Sequence, residues 1–398
     1  MPTLHTNSQE FEPTQAPDTP DATDTALLRS LVRQFCEEQL PPPSPTGVGQ
    51  GSARTGEDGH DRVLWRRLAS ELELIGFSIP TEFGGSGFSW AQHAIVFEEL
   101  GRVLTALPYF STVALATTTL LASGDAEAMA RYLPELAAGR RVATLATVEQ
   151  DAESAVSARR VATGDYQLSG QKVFVLDGHL AGLILATAQV QGCPALFALE
   201  SPTPGLRVEP MTSLDLTRAA ARVELRDARA RLVGQIGAAP SYLRRAFDLA
   251  GGALAAEQVG GMSRCLDLSV QYAAQRRQFN RAIGSFQAIK HKCVHMLVQL
   301  ELARGLATDA CITATADPDT RALASSAAQA FCADSYRAAA AATIHIHGGI
   351  GFTWEHEAHL HYRRAHANAS LHINPRKVRD TVAEMCLSDA SFTPNHSR

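Results

Sequence analysis

YQLSGQKVFVL (166–176) is the stretch on which the fold turns: a short β-rich run, broken by turn residues, inside an otherwise helical chain. Runs of the same kind surround it, RVATLATV (141–148), LAGLILATAQV (180–190), ALFALE (195–200), LRVEP (206–210) and ARVEL (221–225). Their shortness and regular spacing predict a small antiparallel sheet or barrel over 141–236. Upstream the period changes. ALLRSLVRQFCEEQL (26–40) sets Leu27, Leu28, Leu31, Val32 and Phe35 on one helical stripe behind Asp24, a capping residue. Residues 61–74 resume that period through Val63, Leu64, Leu68, Leu72 and Leu74, and Gly76 suits a left-handed helix end. Helices over about 89–105, 109–122 and 125–138 complete an N-terminal helical unit, 23–140.

After Pro240 the chain is Ala-rich and helical, near 241–277, 285–314, 318–345 and 376–388, which predicts a C-terminal four-helix bundle over 237–388. The expectation is a mainly α chain with a central small, barrel-like β domain. Residues 1–22, rich in Pro, Thr and Asp, read as a disordered tail, 389–398 as a second tail, and PPPSPTGVGQGSARTGEDG (41–59) as a flexible loop.

Composition narrows the function. The chain has 398 residues, 45% hydrophobic and 19% charged, with 36 Lys and Arg against 41 Asp and Glu. A net charge of -5 excludes the basic footprint of a nucleic-acid binder. No apolar run reaches membrane-span length and the N-terminus lacks a signal-peptide pattern, so a soluble cytoplasmic protein is expected. The seven cysteines are scattered without a CxxC pair, which argues for small buried hydrophobes rather than zinc or dithiol chemistry. The histidines around 356–361 do not share one helical face, and no metal site is expected.

Four further motifs occur in order: GFSIPTEFGGSG (76–87), YAAQRRQF (272–279), IGSFQAIKHK (283–292) and HGGIGFTWE (347–355). Together they resemble the acyl-CoA dehydrogenase flavoprotein family over about residues 24–388, and SLDLTR (213–218) with FVLDGH resembles its actinobacterial-type branch. The resemblance implies helix–β–helix architecture, FAD bound between subunits of a homo- or hetero-tetramer, an acyl thioester of CoA or a carrier protein as substrate, and an electron-transfer flavoprotein or similar acceptor.

In YAAQRRQF, Tyr272, Arg276 and Phe279 are spaced to share a helical face, offering a guanidinium fork to a pyrophosphate and a flat ring to the cofactor. Alone, the same residues read rather as a surface ion pair beside a core Phe. Gln278 and Gln287 can satisfy mixed donor and acceptor edges, with Phe286 beside them at the helix opening. Gly348 and Gly349 let backbone N–H groups approach a phosphate, and His345 stands where the family usually carries Gln. On the β domain the resemblance places Val148, Phe174 and Leu176 at the isoalloxazine face. Leu176 lacks the hydroxyl the family usually offers flavin N5, and Val148 replaces a flavin-contacting Thr.

The proton acceptor departs from the family. Its two usual carboxylate positions fall on His372 and Ala250. Glu257, two helical turns beyond Ala250 in GGALAAEQVGG, is the first candidate base, with a pKa expected to be raised by apolar surroundings; Asp248 is the second. Glu257 reads alternatively as a hydrogen-bonded structural or interface residue, because an unpaired buried carboxylate is strongly destabilising. The leading expectation is an FAD-dependent acyl-CoA or acyl-carrier-protein dehydrogenase that introduces an α,β double bond. A flavin-dependent monooxygenase or oxidase on the same fold, or a non-catalytic partner subunit of a heterotetramer, remain alternatives.

Overall fold

The computed structural model describes residues 22–40, 61–151, 155–162, 164–371 and 375–388. The expected tails, apart from Ala22, and the loop 41–59 lie outside the described residues, as does His372. Helix α1 (Ala22–Gln39) and α2 (Arg62–Ser70) open the chain, followed by α3 (Trp90–Arg102), a π-helical stretch (Phe110–Thr117) that runs into α4 (Thr118–Ser123), and α5 (Ala126–Ala137). Helix α3 starts where Ser89 and Gln92 form a reciprocal capping box. The α1 stripe is only half buried: Val32 and Phe35 are covered, whereas Leu27 and Leu31 are exposed. Helix α2 stops at Ser70, and the left-handed residue after it is Glu73, not Gly76.

Strands β1 (Ala143–Ala146), β2 (Ser157–Arg160), β3 (Tyr166–Leu176), β4 (Leu183–Val190), β5 (Cys193–Glu200), β6 (Leu206–Met211) and β7 (Ala220–Val233) make one seven-stranded sheet. The pairings β4–β2, β2–β3, β3–β7, β7–β5 and β5–β4 close a ring, with β1 added beside β4 and β6 beside β7. The expected antiparallel barrel is thus present, although β1 and β2 pair β4 in parallel. Its interior is packed by Tyr166, Leu168, Phe197, Leu199, Val223 and Leu225. A register shift between Lys172 and Val175 turns Phe174 to positive φ and pushes its ring outward.

Helices α6 (Ala239–Gln275), α7 (Gln287–Ile312), α8 (Pro318–His347) and α10 (Pro375–Ser388) correspond to the four expected bundle helices. Between α8 and α10 lies α9 (Ala358–Asn368), where the sequence showed only a His-rich tail. Between α6 and α7 runs a small hairpin, β8 (Arg277–Gln278) with β9 (Arg281–Ala282). Helix α6 crosses α3 at backbone contact. A Cβ on Gly260 would sit 1.8 Å from Glu98 O and one on Gly101 2.1 Å from Glu257 O, so only glycine fits either side. That crossing brings the middle of α6 under the N-terminal helices and beside the barrel, where the buried charges collect.

Candidate active site and cofactor cradle

Glu257 points from the middle of α6 into a junction of all three layers. Its Oε1 accepts from Arg364 Nη1 at 3.0 Å and Asn368 Nδ2 at 3.1 Å, both on α9, while Oε2 pairs with Arg218 at the entry to β7. Arg364 also pairs with Asp215 and donates to Thr217 Oγ1 at 2.6 Å and to Thr105 O at 3.3 Å. Arg218 donates to Asn368 Oδ1 at 2.9 Å and lies over the Phe110 ring, 4.9 Å from its centroid, on the π-helical stretch. Every one of these charged groups is buried.

This arrangement overturns the expected state of Glu257. Burial by itself pushes its carboxyl up, but the guanidinium groups of Arg218 and Arg364 outweigh it and hold the pKa down to about 2. A carboxylate with that affinity for protons, and with both oxygens engaged by arginines, is a poor proton acceptor near neutral pH. Asp248 is no better placed. It faces α8, where Arg321 Nε lies 3.3 Å from its Oδ2, although burial raises its pKa. Ala250, at the other usual carboxylate position, is fully buried.

Several of the residues expected to cradle FAD lie around the C-terminal end of α6, in a different geometry from the one expected. Helix α6 ends at Gln275, so Arg276 and Phe279 do not share a helical face with Tyr272. Arg276 is the extended C-cap, and Phe279 and Asn280 form the two-residue turn of the β8–β9 hairpin, both at positive φ. Phe279 projects into solvent, 87% exposed, with Phe286 edge-on at 6.1 Å. Gln278 and Gln287 are exposed beside it.

The end of α8 meets the last turn of α6, just before this hairpin, through Tyr272, whose ring stacks on His347 at 4.4 Å. His345, Gly348 and Gly349 are exposed there, and nothing lies within 4 Å of where a Cβ on either glycine would stand. The Arg276 guanidinium has no partner among the described residues. An unpartnered cation, an exposed ring on a strained turn and open backbone at Gly348–Gly349 fit a dinucleotide such as FAD.

On the barrel, Val148 and Phe174 form an exposed apolar pair, tied by the Val173 N–H donating to Val148 O at 2.9 Å. Lys172, buried beneath them, donates to Glu149 Oε1 at 2.6 Å and anchors the segment carrying Val148. Leu176 departs from expectation: the bulge after Lys172 breaks the alternation, and Leu176 is buried in the helical core. Sequence reasoning missed Arg364 and Asn368 because α9 went unread, and took SLDLTR only as a branch marker, although it carries Asp215 and Arg218.

Helices before and after a closed barrel, with an open anionic-ligand cradle at the α6–α7 turn, define a flavoprotein dehydrogenase scaffold. The chain belongs to the acyl-CoA dehydrogenase family: residues 22–140 match the model for the acyl-CoA dehydrogenase N-terminal domain and 241–371 that for the C-terminal domain. It is 35% identical to acyl-CoA dehydrogenase IpdE2 of Mycobacterium tuberculosis over 352 residues, covering 88% of this chain and 94% of that one. Among solved structures, the ChsE4–ChsE5 complex from Mycobacterium tuberculosis superposes with a TM-score of 0.80 at 25% identity, covering 94% of this chain and 99% of that one. A steroid ACAD, Tcur3481-Tcur3483, superposes with a TM-score of 0.80 at 26% identity, covering 93% and 99%. Members of the family are FAD-dependent oxidoreductases acting on CH–CH groups.

Proposed function

We propose that this chain is an FAD-dependent acyl-CoA dehydrogenase subunit that works in a mixed assembly, with the proton acceptor supplied by a second, different subunit. The supporting observation is that both carboxylates the chain offers near the expected position, Glu257 and Asp248, are held by arginines. Bound FAD supplies the hydride acceptor. This chain's contribution is to bind and orient it: Arg276 and the Gly348–Gly349 backbone take the phosphates, Phe279, Phe286, Gln278, Gln287 and His345 flank the cofactor, and Val148 and Phe174 exclude water from the ring. The likeness to two solved complexes whose names pair two chains supports a mixed assembly. An electron-transfer flavoprotein or similar acceptor would take the electrons from FAD bound there.

The test is anaerobic bleaching of the flavin by CoA thioesters of a short fatty acid and of a steroid side chain. It is run with the chain purified alone and with the chain co-purified with a second acyl-CoA dehydrogenase subunit. Bleaching confined to the mixed assembly is expected. Equal bleaching by the chain alone would place the base within it and overturn the shared-site reading, and turnover that consumes oxygen without releasing an unsaturated thioester would favour oxygenase chemistry.

A further inference from the structure

Asp177 is the acid that the junction leaves without a cation of its own. It follows Leu176 at the end of β3, at positive φ, and is buried. Its backbone N–H donates to Ala219 O at 3.0 Å, one residue from Arg218, and its Oδ2 accepts from Ser111 Oγ at 2.7 Å. Ser111 belongs to the π-helical stretch and also contacts Pro108 O at 3.1 Å.

The charged groups that act on this acid come from the barrel and from α9. The segment before β7 brings Asp215 and Arg218 and α9 brings Arg364, while Glu257 of α6 and, behind it, Tyr336 of α8 with His361 act on the same arginines rather than on Asp177 itself. Arg218 and Arg364 are already ion-paired to Glu257 and Asp215. Asp177 therefore adds a third acid to two arginines, with the Ser111 hydroxyl as its one close side-chain hydrogen-bond donor among the described residues. Burial pushes its pKa up to about 6, against the pull of Ser111, Arg218 and Arg364, and Asp215 adds to the rise.

We propose that Asp177 is a positioning residue for the flavin-facing strand: it joins the end of β3 to the π-helical stretch through Ser111, and its ionisation buries an extra anion at a cost to the fold that the Ser111 bond only partly offsets. The inference rests on the assignment of Phe174 and Val148, just before it on the same wall, to the flavin face. A π-helical segment is where a fold tolerates local strain at a working site, and here it supplies both Phe110 to Arg218 and Ser111 to Asp177.

The sign of the effect is fixed by linkage. Because the folded chain holds the Asp177 proton more tightly than the unfolded chain, its contribution is fully present at low pH. It is lost as pH rises from about the ordinary carboxyl value of 3.8 through about 6.

Thermal unfolding of FAD-free protein from pH 4.5 to 8 tests this with Asp177→Asn and Ser111→Ala. Asp177→Asn lacks the titration, so its melting temperature relative to wild type should climb up to about pH 6 and then level. Ser111→Ala removes a bond that favours the ionised form, so its own decline should extend to higher pH. A difference between wild type and Asp177→Asn that stays constant across pH would overturn the titrating joint. In the FAD-loaded assembly, the pH profile of flavin reduction should carry an inflection near 6 that Asp177→Asn abolishes. An inflection that persists in Asp177→Asn would refute the positioning role. Failure to bind FAD would instead sink the functional proposal, and the unfolding curves would still decide whether the joint titrates.

Discussion

Glu257 shows how far a buried carboxylate depends on its neighbours. Surrounded in sequence by Ala, Gly and Val, it would be neutral if those residues were its only environment. Two guanidinium groups and an amide from distant parts of the chain make it a fixed anion instead. Glu257→Gln leaves Arg364 with Asp215 and leaves Arg218 without an ion-paired partner, Asp177 acting on both only from a distance, and breaking such a buried pair costs about 3–5 kcal/mol. We expect that loss at pH 7 by urea unfolding. Since the folded pKa is depressed, the stabilisation is present above the ordinary value of 4.5 and fades as pH falls toward about 2, so the gap between wild type and variant should narrow in acid. A gap that stays as wide at pH 3 as at pH 7 would contradict the ion-pair account. The need for a partner was legible in the sequence. Its identity was not, because Arg364 lies 107 residues away in the chain and nothing local points to it.

At the scale of elements, the β8–β9 hairpin concentrates the cofactor chemistry. The two-residue turn needs positive φ at both central positions, which suits Asn280 and penalises Phe279 by about 1–2 kcal/mol. An exposed aromatic kept at a costly position points to a ligand that uses the ring. Phe279→Asn should therefore unfold at the same temperature as wild type or higher while FAD affinity falls, and Arg276→Ala should weaken FAD by about tenfold or more through loss of a charge-assisted contact. Both are read by flavin release during gel filtration and titration. Intact FAD affinity in both variants would remove the hairpin from the cofactor site. The spacing of Tyr272, Arg276 and Phe279 imitates a helix so well because α6 does run to Gln275, one residue short of the arginine. Helix α9 escaped notice for the opposite reason: its inward face is built from His361, Arg364 and Asn368, polar residues whose burial depends on pairing rather than on hydrophobicity.

On the scale of the whole molecule, the order of helices, barrel and helices was readable because the change of texture at residue 141 and after Pro240 reflects packing inside each layer. Contacts between layers left no periodic trace. Helix α7 presents Val294, Leu297, Val298 and Leu302 outward, a row of exposed apolar side chains that suits burial against another subunit. Among the described residues no helix is long and apolar enough to cross a membrane. Val298→Glu should convert the assembly to smaller species by light scattering and lower the retained FAD, whereas an unchanged mass would exclude the α7 face from the interface.

The junction around Glu257 also limits what can be exchanged between relatives. Asp215 and Arg218 arrive with the barrel, Glu257 with α6 and Arg364 with α9, so the charges balance only when these pieces share an origin. A barrel transplanted without that segment would strand Glu257 with one arginine and Arg364 with one acid. The charge balance at this spot therefore belongs to the barrel and the C-terminal helices jointly, and neither carries a neutral half of it alone.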